Sequence, residues 1–288
     1  MRRAPSPPAP EEWTIEPIGL GFRARVEEFW RYRRLLTFFA VRSTRGMYQR
    51  FTLGIFWLFA RPLLPLLIGA FIFGRLLGVP SDGLPYFLFY LAGHSIWHFF
   101  ERALLFGTRS LERQKGLVKK MYFPRLILPI AGVVPAFTDL GVYLGLLVLS
   151  AGYYLWQDGK WYLSFGPGWA ISLAVLLVTT ALAVALSMFT AVWQVRHREV
   201  RFTLRYFLRF WSYLTPIIYP MSQVPEHLHW VIYLNPMASL VETYKWGLLG
   251  VGQFPVVPLA CTALLVPILF VAGTWYFMRS EAASVDEL

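Results

Sequence analysis

Two histidines and one carboxylate are the first candidates for chemistry in this chain of 288 residues. His94 and His98 stand four apart in an apolar run, so a helix places both imidazoles on one side. That spacing can suit a metal, but no third ligand is obvious beside them. Interfacial or path-lining histidines fit better, and no metal is expected. Asp139 sits deep in another apolar run, where a carboxylate is costly unless it is paired or faces water. It reads equally well as a path-lining group and as a helix-pairing one, and Arg61, just before Pro62, is the natural candidate partner. Catalytic and nucleotide signatures are missing. There is no G-x-x-x-x-G-K-[ST] loop to cradle ATP, no H-E-x-x-H and no G-x-S-x-G. The single cysteine, Cys261, lies in an apolar run and reads as a small packing residue. No catalytic residue is therefore expected, and no cofactor held by this chain.

The elements that must position these groups belong to a membrane. Hydrophobic residues make up 57% of the chain and charged residues only 15%, against about 25% charge in a soluble domain. That leaves too few polar side chains to clothe a water-facing surface. Aromatics, at 18%, are abundant in the way membrane interfaces favour. The net charge of +11 does not point to nucleic acid, because the basic residues fall between long apolar runs, where they act as topology signals.

Six apolar segments approach the roughly 20 residues needed to span a bilayer: 53–73, 84–106, 126–156, 169–193, 202–218 and 254–277. Backbone in lipid must satisfy its own hydrogen bonds, so these should be helices. The fold class expected is an all-α integral membrane protein with six transmembrane helices. Pro129 and Pro135 should kink or tilt the third, and Arg205 and Arg209 weaken the start of the fifth. The pieces 1–52, 107–125, 194–201 and the C-terminal tail, with Arg205 and Arg209, hold 22 Lys and Arg. The other side holds only Arg75, Lys160 and Lys245. The positive-inside rule then puts both termini in the cytoplasm. The chain divides into a disordered Pro-rich tail (1–24), an amphipathic helix (25–52), a six-helix domain (53–278) and a short cytoplasmic tail (279–288). Within the amphipathic helix, Phe29, Leu36, Ala40 and Met47 share a stripe flanked by Tyr32 and Phe39, with Arg31, Arg34, Arg42 and Arg45 opposite. It should lie flat on the inner leaflet, or pack on protein.

Two connecting regions carry more information. The loop 108–124 contains Arg109, Glu112, Arg113, Lys115, Lys119 and Lys120. It is long enough for a short helix that could dock on a soluble partner, although a plain positive-inside loop reads the same way. The region 214–250 is broken by Pro216, Pro220, Pro225 and Pro236 into fragments too short to span. It suggests a re-entrant hairpin in the outer leaflet, tolerated where protein or water shields its backbone.

On the phrases FGRLLGVPSDGLPY (73–86), MYFPRLILPIAGV (121–133), TPIIYPMSQVPE (215–226) and LNPMASLVETYKWGLLG (234–250), the chain resembles the permeases of type-2 ABC exporters of cell-surface polysaccharide. The O-antigen and teichoic-acid exporters are the nearest, and the resemblance runs over nearly the whole chain from about Trp30. It implies a bacterial cytoplasmic (inner) membrane, a second copy of the permease, and two copies of a separate ATPase that binds ATP and Mg. It implies that 108–124 is a coupling helix for that ATPase, and that Pro216, Pro220, Asn235, Pro236 and Glu242 belong to gate elements at the outer mouth. The cargo would be a lipid-linked glycan threaded between two permeases. Aromatic rings offer sugars flat contact with a polar handle, and weak binding at many places permits passage. Phe87, Tyr90, Trp97, Trp211, Tyr213 and Tyr219 are the candidates, with belt and packing roles as the alternative. A drug or small-lipid permease and an ion-coupled secondary transporter are rival readings. The second would need more intramembrane ionisable groups and internal repeats.

Overall fold

The structure, a computed structural model, describes residues 27, 30–48, 54–118, 123–164 and 166–286. Within them the regular elements are all helical. In chain order they are α1 (Arg33–Tyr48), α2 (Gly54–Ala70, continued by a π-helical turn Phe71–Leu76), α3 (Tyr86–Thr108), α4 (Ser110–Arg113) and α5 (Lys115–Val118). Then come α6 (Ile127–Asp158), α7 (Gly168–Arg196), α8 (Val200–Tyr213), α9 (His229–Tyr233), α10 (Pro236–Leu249) and α11 (Val256–Asp286).

Four helical stretches are long and apolar enough to cross a bilayer: Leu58–Leu76, Ile127–Asp158, Gly168–Arg196 and Val256–Ser280. They include the first, third, fourth and sixth segments expected from sequence. The second forms α3, whose 23 residues are long enough but carry His94, His98, Glu101 and Arg102. Burial compensates for that polarity. Leu88, Leu91, Ile96, Phe99, Phe100 and Leu104 are all inside the protein, and α3 packs on both α6 and α7. The fifth becomes α8, only 14 residues long. That is about 21 Å at 1.5 Å per residue, short of the ~30 Å hydrocarbon core. It ends at Tyr213 because Pro216 disfavours helix at the residue before it.

Helix crossings use small residues, as expected where lipid supplies little drive for association. A Cβ on Gly168 would lie 2.6 Å from the Gly247 carbonyl oxygen, so α7 and α10 meet backbone to backbone. α6 begins with Pro129 in its first turn, where a missing N–H costs little, and carries Pro135 internally. The outward sides of α2 and α11 present Leu64, Leu67, Ile68, Leu264, Ile268 and Val271. These are surfaces suited to lipid.

The amphipathic helix is present as α1, and its stripe packs on protein. Phe39 and Ala40 are buried where α1 meets α6, and the Phe39 ring lies 5.5 Å from that of Phe123. Arg33, Arg34, Arg42 and Arg45 are exposed, and Trp30, Phe38 and Val41 form an exposed apolar side. Phe29 lies outside the described residues.

Candidate functional site

The charged loop forms two single helical turns, α4 and α5, separated at Gln114. Buried Leu111 and Val118 anchor them. Arg109 Nε lies 3.9 Å from Glu112 Oε2, and Glu112, Arg113 and Lys115 are exposed. Lys119 and Lys120 lie outside the described residues. Arg113 also reaches inward, with its guanidinium 5.0 Å above the Phe106 ring of α3. A cleft there is lined by Phe39, Arg113, Gln114 and Leu128.

From Phe106 a polar and aromatic ridge climbs α3 in steps of four residues: 106, 102, 98, 94, 90 and 86. Arg102 lies over the Phe106 ring at 4.4 Å and donates from Nε to Asp139 Oδ2 on α6 at 2.8 Å. The expectation of Arg61 gives way here, since Arg102 is the partner in the ion pair with Asp139. Arg61 is exposed on α2. His94 and His98 stack at 5.9 Å, and both lie against Tyr143 of α6, at 5.7 and 4.9 Å. Tyr90 and Tyr86 continue the series at 5.5 and 6.1 Å. Arg102 was open to detection by sequence, because it is the next i+4 position after His94 and His98.

The aromatic candidates separate into two groups. Trp97 is only 2% exposed and sits edge-on to Trp211, which also touches Phe100 and Phe207. In the protomer this cluster is packing between α3 and α8. Phe87, Tyr90 and Tyr219 are half-buried, whereas Tyr213 is exposed. Tyr213 ends a stripe of Phe202, Tyr206 and Phe210 along α8, all exposed. Sequence reading missed the other three. Beside them run Arg201, Arg205 and Arg209, also four apart.

The helix α10 starts at a capped N-terminus. The Asn235 side chain accepts from Met237 N at 2.9 Å, and Pro236 occupies the first helical position, where its fixed φ suits the helix. Asn235 Nδ2 also donates to Thr215 Oγ1 at 2.8 Å, which ties the cap to the non-helical segment after α8. Asn235→Ala should lose both interactions, a helix cap of about 0.5–2 kcal/mol and a hydrogen bond of about 1 kcal/mol. A lowered melting midpoint in detergent checks it. Pro216 and Pro220 are buried in that segment, and Ser222 Oγ bonds Asp82 Oδ1 at 2.8 Å. Gly250 closes α10 at φ 69°, a left-handed position that glycine adopts without strain. Glu242 and Lys245 are both buried in α10. Lys245, counted above on the side opposite the cytoplasm, has its charge inside the bundle.

A bundle that keeps ionisable side chains in its interior and turns leucine faces outward is built as a multi-pass membrane transporter. The chain belongs to the ABC-2 type transporter family, whose pattern matches residues 34–249. It is 28% identical over 225 residues to the O-antigen export system permease protein RfbA of Myxococcus xanthus, covering 76% of this chain and 82% of that protein. Two proteins of the same name from Klebsiella pneumoniae are 25% and 26% identical over 211 and 213 residues, each covering 73% of this chain and 78% of the relative. The family makes this chain a permease, the transport subunit of an ABC system.

Proposed function

We propose that this permease exports a lipid-linked polysaccharide across a bacterial cytoplasmic membrane, through a channel between two copies of the chain. The named relatives support the cargo class. The observation that carries the channel is α8, where exposed Phe202, Tyr206, Phe210 and Tyr213 run beside exposed Arg205 and Arg209. Charged groups within a membrane protein face water or protein, not hydrocarbon. A wet, aromatic surface suits sugars, which have polar edges and apolar C–H faces. Tyr219, Tyr90 and Phe87 extend that surface toward the outer mouth, where Pro216, Pro220, Asn235, Pro236 and Glu242 form the gate.

In this reading the chain crosses six times, with α3 and α8 plus its non-helical extension as the second and fifth crossings. The basic residues place both termini in the cytoplasm. Two copies of a separate ATPase, binding ATP and Mg, dock on α4 and α5 through Arg109, Glu112, Arg113, Lys115, Lys119 and Lys120. Closure of the ATPase on ATP pushes these turns against Phe106 and the foot of α3.

Deleting the gene tests the cargo. Lipid-linked glycan is expected to accumulate on the inner leaflet, with surface glycan lost. Normal surface glycan in the deletion strain would overturn the reading and favour a permease for drugs or small lipids.

A further inference from the structure

Lys245 has no place in the coupling, channel or gate roles assigned above, yet it is among the most completely buried large side chains described, at 2% exposure. Its ammonium has three N–H donors and no acceptor. Three groups surround it: Glu242 Oε1 at 2.5 Å, the Pro216 carbonyl oxygen at 2.9 Å, and the face of the Phe89 ring at 4.1 Å. These come from three elements, namely α10 itself, the non-helical segment after α8, and α3. The side-chain stem passes over Gly93 of α3, where an added Cβ would stand 3.5 Å from Lys245 Cδ and 3.4 Å from the Ile217 backbone. Gly93 therefore lies against both the lysine stem and the segment it grips.

Within the gripped segment the described backbone bond runs from Ile217 N to the Thr215 carbonyl oxygen at 2.7 Å. Pro216 and Pro220 have no N–H, and the chain from Thr215 to Pro220 is non-helical. Its ties to other elements are the Pro216 carbonyl to Lys245, the Ile218 carbonyl to the Tyr86 hydroxyl at 2.7 Å, and the Thr215 hydroxyl to Asn235. Irregular backbone in a membrane protein persists only where such groups are satisfied by protein or water. A buried cation bonded to a carbonyl is also a strong tie, because charge-assisted hydrogen bonds exceed neutral ones.

We propose that Lys245 is a latch, a positioning residue that holds the Thr215–Pro220 segment closed against α3 and α10, and that Glu242 holds the latch in place. This rests on the gate reading above and adds the residue that sets the resting state. The outer mouth opens when the Lys245 ammonium leaves the Pro216 carbonyl. Glu242 keeps the ammonium charge compensated through the movement, so that release of the Pro216 carbonyl leaves no isolated buried charge.

The test reads the position of Ile217, which is buried at rest. In a Cys261→Ala background, Ile217→Cys is labelled with a membrane-impermeant maleimide in right-side-out membrane vesicles that contain the full complex. Glu242→Gln with Lys245→Met removes both charges together and leaves no unpaired ion. The paired variant is expected to label at least tenfold faster than the parent. Phe89→Leu, which keeps an apolar side chain under the ammonium, is expected to raise the rate about threefold and serves if the paired variant is not recovered folded. An unchanged rate in the folded paired variant, or in Phe89→Leu where that serves, overturns the latch. The assay needs neither glycan nor ATP turnover, so a failed latch is distinguishable from a failed exporter.

Discussion

Asp139→Ala is expected to be among the most damaging single substitutions in the bundle. Asp139 accepts from Arg102 at 2.8 Å, and their side chains are 15% and 25% exposed. Removing the acid leaves a guanidinium inside the bundle with its nearest compensating charge gone. Breaking one partner out of a buried pair costs about 3–5 kcal/mol. The residual exposure of Arg102 argues for the lower end of that range, about 3 kcal/mol, and its contact with the Phe106 ring recovers part of the loss. Whole domains are stable by only about 5–15 kcal/mol, so the variant should show a sharply lower yield of monodisperse protein and a lower melting midpoint in detergent. Arg102→Leu with Asp139→Leu removes both charges, and apolar replacement of a buried pair is often neutral or stabilising. The double variant should therefore recover most of the yield. An Asp139→Ala protein as stable as the parent would show that the pair with Arg102 contributes nothing net to stability.

The same pair marks where sequence stops being sufficient. Periodicity and length located the apolar segments because their physics is one-dimensional: a bilayer needs a set number of apolar residues in a row. The amphipathic stripe of α1 was legible for the same reason, down to Leu36, Ala40 and flanking Phe39. What burial compensates was not legible. α3 carries two histidines, a glutamate and an arginine, and its packing on α6 and α7 explains how an apolar helix tolerates them. Asp139 was visible as a cost, but its partner depended on which helix lay beside α6. The burial of Lys245 was not legible, because the count of basic residues assigns a side of the membrane and not a depth within the protein. Its burial is created by Glu242 three residues earlier and by Pro216, 29 residues away. A search for i,i+3 acid–base pairs would have flagged Glu242 and Lys245, though not the carbonyl that completes the site. On α8, the interruption by Arg205 and Arg209 read as weakness of a span. In three dimensions those arginines belong to an amphipathic helix on which they and an aromatic stripe are exposed side by side.

Reversing charge on the docking turns should nearly abolish assembly with the ATPase. The variant Arg113→Glu with Lys119→Glu and Lys120→Glu changes the net charge of this short loop by six. Like charges brought together at an interface cost several kcal/mol, and each 1.4 kcal/mol is a tenfold loss in affinity. Recovery of the ATPase in a permease pull-down is expected to fall at least tenfold, and the parent complex should weaken as salt rises, because exposed pairs are screened. Arg113 contributes in a second way, through its contact with Phe106 beneath it, which itself faces Arg102. Phe106→Leu preserves apolar bulk, so folding should change by under about 1.5 kcal/mol. It removes the ring on which both guanidiniums rest. That variant should bind the ATPase normally yet export less glycan per ATP hydrolysed, which separates docking from transmission. If the triple charge reversal co-purifies with the ATPase as the parent does, α4 and α5 are not the docking surface. If Phe106→Leu exports at the parent rate per ATP, the push reaches α3 by another route.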